Sequence, residues 1–329
     1  MASTPPVRTP RRRAIALVIA LLAGCTPPRA PEPGPAPSRP DAPPRIEPRV
    51  DARGFHLRAG TLTYEVSSAA SIDARDDTLP GDTVRVDAVV IYNVGTSEAP
   101  ESTTRVGGSI DSYQVHSSRP GPTAADSLAL PIPFVGVLGP GGLVLEGIVE
   151  ESAAGDLRSP PDTSGAPPGG ASGGAPDSSA LVERPCVAAL SAPLAMARDI
   201  VLLPPASLTI GTTWSDTATT TICRGEVPIT TTAVRRYAVV GSTRLAGADA
   251  VAIERTSEIT IAGRARLRGR LVAVSGTGRG RTTFYASVAR GALLGADGAY
   301  DAELTIESGT RRQQFTQATW QRARLRDAN

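Results

Sequence analysis

The sequence predicts a mainly β protein, built as a large antiparallel curved sheet or half-barrel, or alternatively as a two-sheet sandwich, with one short helix. Three observations predict this class. Apolar residues alternate with polar ones at a period of two, turns rich in glycine separate these stretches, and only one stretch has the signals of a helix. Many strands with little helix are typical of an antiparallel sheet, a sandwich or an open barrel.

Alternation predicts strands in several stretches. In GTLTYEVSS (60–68) and TVRVDAVVIYNV (83–94), every second residue is apolar and faces one side of a sheet. FVGVLGPGGLVLEG (134–147) has two apolar runs around Gly-Pro-Gly-Gly and predicts a hairpin. TTFYASVARGALLGADG (282–298) predicts a strand and a glycine-rich turn, and AYDAELTIESG (299–309) a further strand. The predicted same-face sets are Leu62, Tyr64 and Val66; Val84, Val86, Ala88, Val90 and Tyr92; and Tyr300, Ala302, Leu304 and Ile306.

The one predicted helix is SAPLAMARDIVLL (191–203). Ser191 can cap its first turn, and Pro193 is tolerated close to a helix start. Pro204 and Pro205 cannot continue the helix and are expected to end it.

Composition bounds the size and the partners. The chain has 329 residues, which outside the low-complexity stretches is enough for one large or two small domains. It has 34 basic and 32 acidic residues, and four of its arginines lie in residues 1–24. Without that segment the chain is close to neutral, so nothing in its charge points to nucleic acid. At 4% aromatic residues, a glycan platform of stacked rings is also disfavoured.

The first 24 residues have the pattern of a signal peptide. Three arginines at 11–13 precede an apolar run at 14–23 that is too short to span a bilayer. The sequence Leu22-Ala23-Gly24-Cys25 resembles the lipobox of bacterial lipoproteins. The resemblance implies cleavage before Cys25 and acylation of that residue, which is a stable anchor when more than one chain is attached. Thr26, in place of aspartate, implies the outer membrane, facing the periplasm.

Low-complexity segments divide the rest of the chain. Residues 25–50 carry the lipidated cysteine and a proline-rich tether, which favours an extended spacer over a ligand for a partner domain. Residues 151–180 are rich in Gly, Pro, Ser and Ala and predict a flexible linker between two β-rich halves, 51–150 and 181–329. That linker joins two domains or is a long loop within one sheet.

Two cysteines remain beyond Cys25. In an exported protein, Cys186 and Cys223 are expected to form a disulfide, the alternative being two separate buried thiols.

The C-terminal half has a second resemblance. DIVLLPPASLTIGTTWSD (199–216) and the glycine-turned stretch from Gly269 to Ile306 are similar to segments of uncharacterised bacterial envelope lipoproteins. The resemblance covers roughly residues 190–325. It implies a half-barrel like that of lipoprotein carriers, with a concave, apolar-lined sheet and no catalytic site.

Signals for chemistry are weak. Asp111 and Ser112 lie near His116 in the sequence, but neighbours on a strand alternate faces, so neither His116 nor His56 is interpreted as part of a catalytic triad. No metal or cofactor is expected, because His and Cys do not cluster. DARDD (73–77) lacks the glycine and distal glutamate of a calcium loop and is interpreted as an acidic turn. GTGRG (276–280) precedes a predicted strand and not a helix, so its glycines are interpreted as a bulge or tight turn.

The most informative charged feature is RARLRGR (264–270). If this is one strand, Arg264, Arg266, Arg268 and Arg270 share a face, and Arg279 and Arg281 extend it. Such a strip is a solvent face or a guarded sheet edge, or it binds an anionic headgroup, envelope polymer or acidic partner. Acidic residues such as Glu254, Glu258 and Glu303 are candidates to neutralise the arginines across strands.

The sequence therefore predicts a non-enzymatic envelope lipoprotein that binds an apolar or amphipathic ligand, or a partner protein, on a curved sheet. A structural or adaptor lipoprotein with a filled sheet is the alternative, and a secreted hydrolase is a third.

Overall fold

The computed structural model describes residues 44–48, 53–75, 82–95, 103–118, 128–148, 188–224, 227–267 and 269–328. The predicted signal peptide, Cys25, most of the tether, the linker 151–180 and Cys186 lie outside these residues. The described chain forms one sheet that curls into a half-barrel, one helix and a two-stranded ribbon.

The main sheet has eleven antiparallel strands, in the order β6-β5-β4-β3-β2-β13-β12-β11-β10-β9-β8. β1 and β7 form the separate ribbon. Because β2 pairs with β13, residues from both predicted halves belong to a single sheet, and the sandwich alternative is wrong. The elements are β1 Arg53–Gly54, β2 Gly60–Ala74, β3 Asp82–Val94, β4 Thr104–Ser117, β5 Ile132–Gly139, β6 Gly142–Ile148, α1 Ala188–Asp199, β7 Ser207–Leu208, β8 Thr213–Arg224, β9 Val227–Leu245, β10 Ala248–Leu267, β11 Arg270–Ser287, β12 Ala292–Ser308 and β13 Arg311–Ala328.

The predicted strands and same-face sets are confirmed, but the glycine-rich turn predicted within 282–298 is placed too late, because β12 already begins at Ala292 and contains Gly295 and Gly298. β2, β3 and β12 cover the alternating stretches, and the predicted hairpin is formed by β5 and β6. Cross-strand partners lie on the same face of a sheet, and the pairing of β2 with β3 therefore puts the apolar sets of both strands on one side.

The helix was predicted at 191–203, and these bounds are wrong. α1 begins at Ala188 and ends at Asp199. The next four residues, Ile200 to Leu203, are buried and not helical, and the Leu203 amide donates to the Gly139 carbonyl at 2.9 Å. A run that is apolar at every position has no polar face for a surface helix, and burial against the sheet satisfies it better.

α1 and the segment after it lie between the two edges of the curled sheet. α1 contacts both edge strands, β6 and β8. The β5–β6 turn reaches the opposite edge, where the indole nitrogen of Trp214 donates to the Pro140 carbonyl at 3.0 Å. A Cβ at position 141 would lie 2.0 Å from a carboxylate oxygen of Asp216, so any residue larger than glycine would have to displace that carboxylate. The half-barrel is therefore bridged across its gap at this end, which we call the closed end.

The hydrophobic core fills the closed end. Aromatic side chains from β2, β3 and β5 pack edge to face there, with ring centroids 5.7 Å apart in both the Tyr64–Tyr92 and Tyr92–Phe134 pairs. The Tyr92 hydroxyl donates to the Ala197 carbonyl, which fixes α1 to the sheet. The residue 200–203 segment completes this core.

The tether ends at the closed end. Glu47 and Ser242 exchange two backbone hydrogen bonds of 2.7 and 2.9 Å, close to the β9–β10 turn. The Thr243 hydroxyl donates to the Arg45 carbonyl at 2.8 Å. The last described residues of the predicted tether are thus attached to the body of the sheet.

The predicted bulge or tight turn at 276–280 is wrong. Gly276, Gly278 and Gly280 lie in the middle of β11, in regular register with Leu304, Ala302 and Tyr300 of β12. The Tyr300 ring covers Gly280, where an added Cβ would meet a ring carbon at 2.2 Å. The glycines therefore let the inward side chains of β12 lie over β11.

This packing predicts a different cost for the same substitution at two strand glycines. Gly280→Ala should lower the free energy of unfolding by about 1–3 kcal/mol, because the new methyl group forces Tyr300 aside. Gly107→Ala in β4 is the matched control, since nothing lies within 4 Å of its Cβ position. Urea denaturation of both variants measures the difference, and equal stability would contradict the packing argument.

Candidate functional site

The inner face of the half-barrel changes character along its length. On β10, inward side chains are buried from Val251 to Ser257 and only half-buried from Ile259 to Leu267. The same change occurs on β2 after Val66 and on β12 after Gly298. Beyond the core, the sheet therefore presents an accessible inner surface that is mainly apolar on β10 and β12, while β13 contributes the polar Gln317 and Thr319. We call this surface the trough, and its residues include Ile72, Val86, Ile259, Ile261, Ala302 and Leu304.

Charged residues lie on the inner face where the core gives way to the trough. Arg235 of β9 and Asp216 of β8 are cross-strand partners, and Arg235 donates to both carboxylate oxygens, through Nε at 2.9 Å and through Nη2. The exposed fractions of their side chains are 9% and 27%. A bidentate pair of this kind fixes both side chains more firmly than a single contact does.

Arg255 of β10 is the more deeply buried cation, at 3% exposure. Its Nη2 donates to the hydroxyls of Thr282, at 3.2 Å, and of Tyr300, and these two hydroxyls bond each other at 2.8 Å. Its guanidinium carbon lies 5.1 Å from the centre of the Phe284 ring. The Nε–H is buried without an acceptor among the described residues.

The surroundings change the pKa values of Arg255 and of its cross-strand neighbour Tyr237. Burial alone would lower the pKa of Arg255, but the electrostatic effects of Tyr300 and Asp199 hold it above its ordinary value. Burial also raises the pKa of Tyr237 to about 12, so its hydroxyl stays protonated at neutral pH. The inner face therefore presents the positive charge of Arg255 beside the neutral hydroxyl of Tyr237.

The arginine strip was predicted as one face of one strand, and this is wrong. The turn between β10 and β11 falls inside it, so Leu267 pairs with Arg270 while Arg266 pairs with Leu271. Arg264 and Arg266 are exposed on the outer face, Arg270 is on the Leu267 face, and Arg268 lies outside the described residues. Because β10 ends and β11 begins within this stretch, the arginines on the two sides of the turn do not lie on one strand face. Their unbroken spacing along the chain gave no sign of the turn.

The strip is also not a sheet edge, because β10 and β11 have neighbours on both sides. The predicted neutralising acids do form ion pairs on the outer face, but mostly with other arginines. Glu258 pairs with Arg236 at 2.9 Å and Glu303 with Arg75 at 2.9 Å, while Glu254 pairs with Arg281.

The remaining predicted residues do not assemble into a site. His56 and His116 are exposed, and His116 is opposite Arg85 on the outer face. Within the described ranges, no group of three His, Cys, Asp or Glu residues could hold a metal ion. Cys223 is half-buried and disulfide-bonded, but Cys186 lies outside the described residues, so their pairing stays a prediction.

Sequence reasoning missed the inward charged residues, although a signal was present. Arg255 is in phase with Val251, Ile253, Ile259 and Ile261, so it is a charged residue on an otherwise apolar strand face. Such a residue is expected to be buried or to face a ligand.

Comparison with known proteins adds little. No family model and no curated protein matches the chain. Solved structures with some likeness include OpdQ of Pseudomonas aeruginosa, at 8% identity and a TM-score of 0.21, covering 84% of this chain and 98% of that one. A loop-deletion mutant of OmpT, an outer membrane protein of Vibrio cholerae, gives 8% and 0.19, with 81% and 99% covered. Pseudomonas aeruginosa OpdK with vanillate gives 6% and 0.19, with 82% and 99% covered. At such TM-scores the likeness carries no argument about this chain.

Over the described residues, no helix is long and apolar enough to cross a membrane.

Neighbouring arginines on opposite faces of β9 provide a test of the inward pair. Asp216→Asn should destabilise the protein by about 2–3 kcal/mol, because it leaves Arg235 buried without a counter-charge. The expected loss is smaller than for a fully buried ion pair, because the Asp216 side chain is partly exposed. Glu258→Gln, which breaks the exposed pair with Arg236, should cost less than about 1 kcal/mol. Chemical denaturation compares the two, and an equal cost would show that the inward pair is effectively solvated.

Proposed function

We propose that this protein is a lipid-anchored lipoprotein of the bacterial cell envelope, without enzymatic activity, that binds an apolar or amphipathic ligand in the trough. The anchor is Cys25, and the lipobox resemblance favours the outer membrane, facing the periplasm. The observation that carries the binding proposal is the accessible apolar inner face beyond the core.

The trough supports ligand binding because its exposure is selective. On β10 and β12, the outward side chains beyond the core are mostly exposed and polar, while the inward ones are apolar or small. An apolar surface that stays half-exposed costs free energy in water, and an apolar ligand that covers it recovers that cost. Concave apolar surfaces with a few polar groups are the usual form of small-molecule sites.

A second apolar cluster lies on the inner face at the end of the sheet opposite the core, which we call the far rim. Val227, Val272 and Val274 are buried there, with Ile229 and Ile306 packed against them. The trough therefore lies between two apolar clusters, the core and this rim, with the charged layer at its base.

Two alanines of β12 provide a matched test of ligand binding. Ala302 faces inward opposite Gly278, and Ala299 is exposed on the outer face opposite Arg281. In the full chain, Ala302→Trp should weaken binding of the neutral fluorescent probe N-phenyl-1-naphthylamine several-fold, because the indole fills the trough. Ala299→Trp should leave binding unchanged. If neither variant alters binding, or if the parent chain binds no probe, the trough is not the site.

The anchor has a separate test. In cells of a Gram-negative host, Cys25→Ser should move the protein from the membrane fraction to the soluble fraction and abolish incorporation of labelled palmitate. Thr26→Ser is the control, since it leaves Cys25 intact. Retention of Cys25→Ser in the membrane fraction would rule out this residue as the anchor.

A further inference from the structure

Arg255 has more binding capacity than the protein uses. Its guanidinium is almost fully buried, yet its side-chain partners are all neutral: the hydroxyls of Thr282, Tyr300 and Tyr237, and the face of Phe284. Within the described part of the chain, no carboxylate lies within ion-pairing distance of it, and its Nε–H has no acceptor. A buried cation normally has a bonded counter-ion, so this arrangement lacks an anion.

The charges around Arg255 do not balance. The described cluster at the base of the trough comprises Arg198, Arg235 and Arg255 against Asp199 and Asp216. Both carboxylate oxygens of Asp216 already accept hydrogen bonds from Arg235. Asp199 acts on both Arg198 and Arg255. The cluster is therefore one negative charge short of neutrality.

The position of Arg255 fits an amphipathic ligand. It lies on the inner face of β10, two residues below Ser257, where the buried core ends and the half-buried Ile259 and Ile261 begin. Tyr300, which is half-buried and faces inward from β12, contacts Arg255 and lies next to Ala302 and Leu304 on the same face. A ligand whose anionic group is bound by Arg255 and Tyr300 would thus place its apolar tail along the trough.

We propose that the ligand of the trough is an acyl chain with a single carboxylate, of the long-chain fatty acid class, and that Arg255 and Tyr300 bind the carboxylate. This rests on the proposed function. One planar carboxylate supplies the missing charge, offers oxygens to the free guanidinium donor, and leaves one apolar tail for the trough. The bound state would neutralise a charge that has no bonded counter-ion among the described residues.

The test compares two ligands that differ only in the head group. The full chain with Cys25→Ser, used so that no detergent is needed, is loaded with N-phenyl-1-naphthylamine and titrated with palmitate or with hexadecanol. Palmitate should displace the probe at a roughly tenfold lower concentration than hexadecanol, because only the acid forms charge-assisted hydrogen bonds. Arg255→Met should reduce this preference to within about twofold and still bind the probe.

Two further variants keep the result interpretable. Arg236→Met replaces the next outward arginine on the neighbouring strand and should keep the full preference. Tyr300→Phe retains the ring over Gly280 and removes only the hydroxyl, so it should lower the preference part of the way even if Arg255→Met does not fold. Probe binding without any preference for palmitate, or a preference that survives both inward variants, would overturn this inference and leave the proposed function intact. Failure of the parent chain to bind the probe would overturn the proposed function itself.

Discussion

The contact between the two edges of the sheet determines the rest of the structure. An open sheet of eleven strands has two unpaired edges and a concave face exposed to water, and both are unfavourable. Here α1, the segment that follows it and the β5–β6 turn fill the gap at one end. The apolar side chains at that end can therefore form the main core, while most inward side chains between this core and the far rim stay half-buried. The division between core and trough follows from this one bridge.

The same bridge brings charge into the interior. It carries Arg198 and Asp199 at the end of α1 and places the β5–β6 turn against Asp216, on the inner face of β8. Arg235 and Arg255 face these groups from adjacent strands. The charged layer is thus assembled from segments distant in sequence, and it marks the level at which the buried core ends.

Much of the fold could be predicted because alternation is a local property. The inward sets on β2, β3 and β12 are visible within ten residues, as is the hairpin around Pro140 and Gly141. The errors arose where local pattern was ambiguous or incomplete. The arginines at 264–270 continue their spacing through a turn, and the end of α1 is set by a distant carbonyl at Gly139. The site at Arg255 was missed because its partners come from β11 and β12, whose register no single stretch of sequence reveals.

The position of β13 has a consequence for how the chain folds. β13 lies between β2 and β12, so the last strand of the chain completes the middle of the sheet. The hydroxyl of Ser68 bonds the carbonyl of Trp320, a separation of 252 residues. Because such distant pairing is slow to form, a chain that emerges N-terminus first leaves the edges of β2 and β12 unpaired until β13 is available. Loss of β13 would expose two long edges in the centre of the sheet, and exposed edges of this kind favour aggregation.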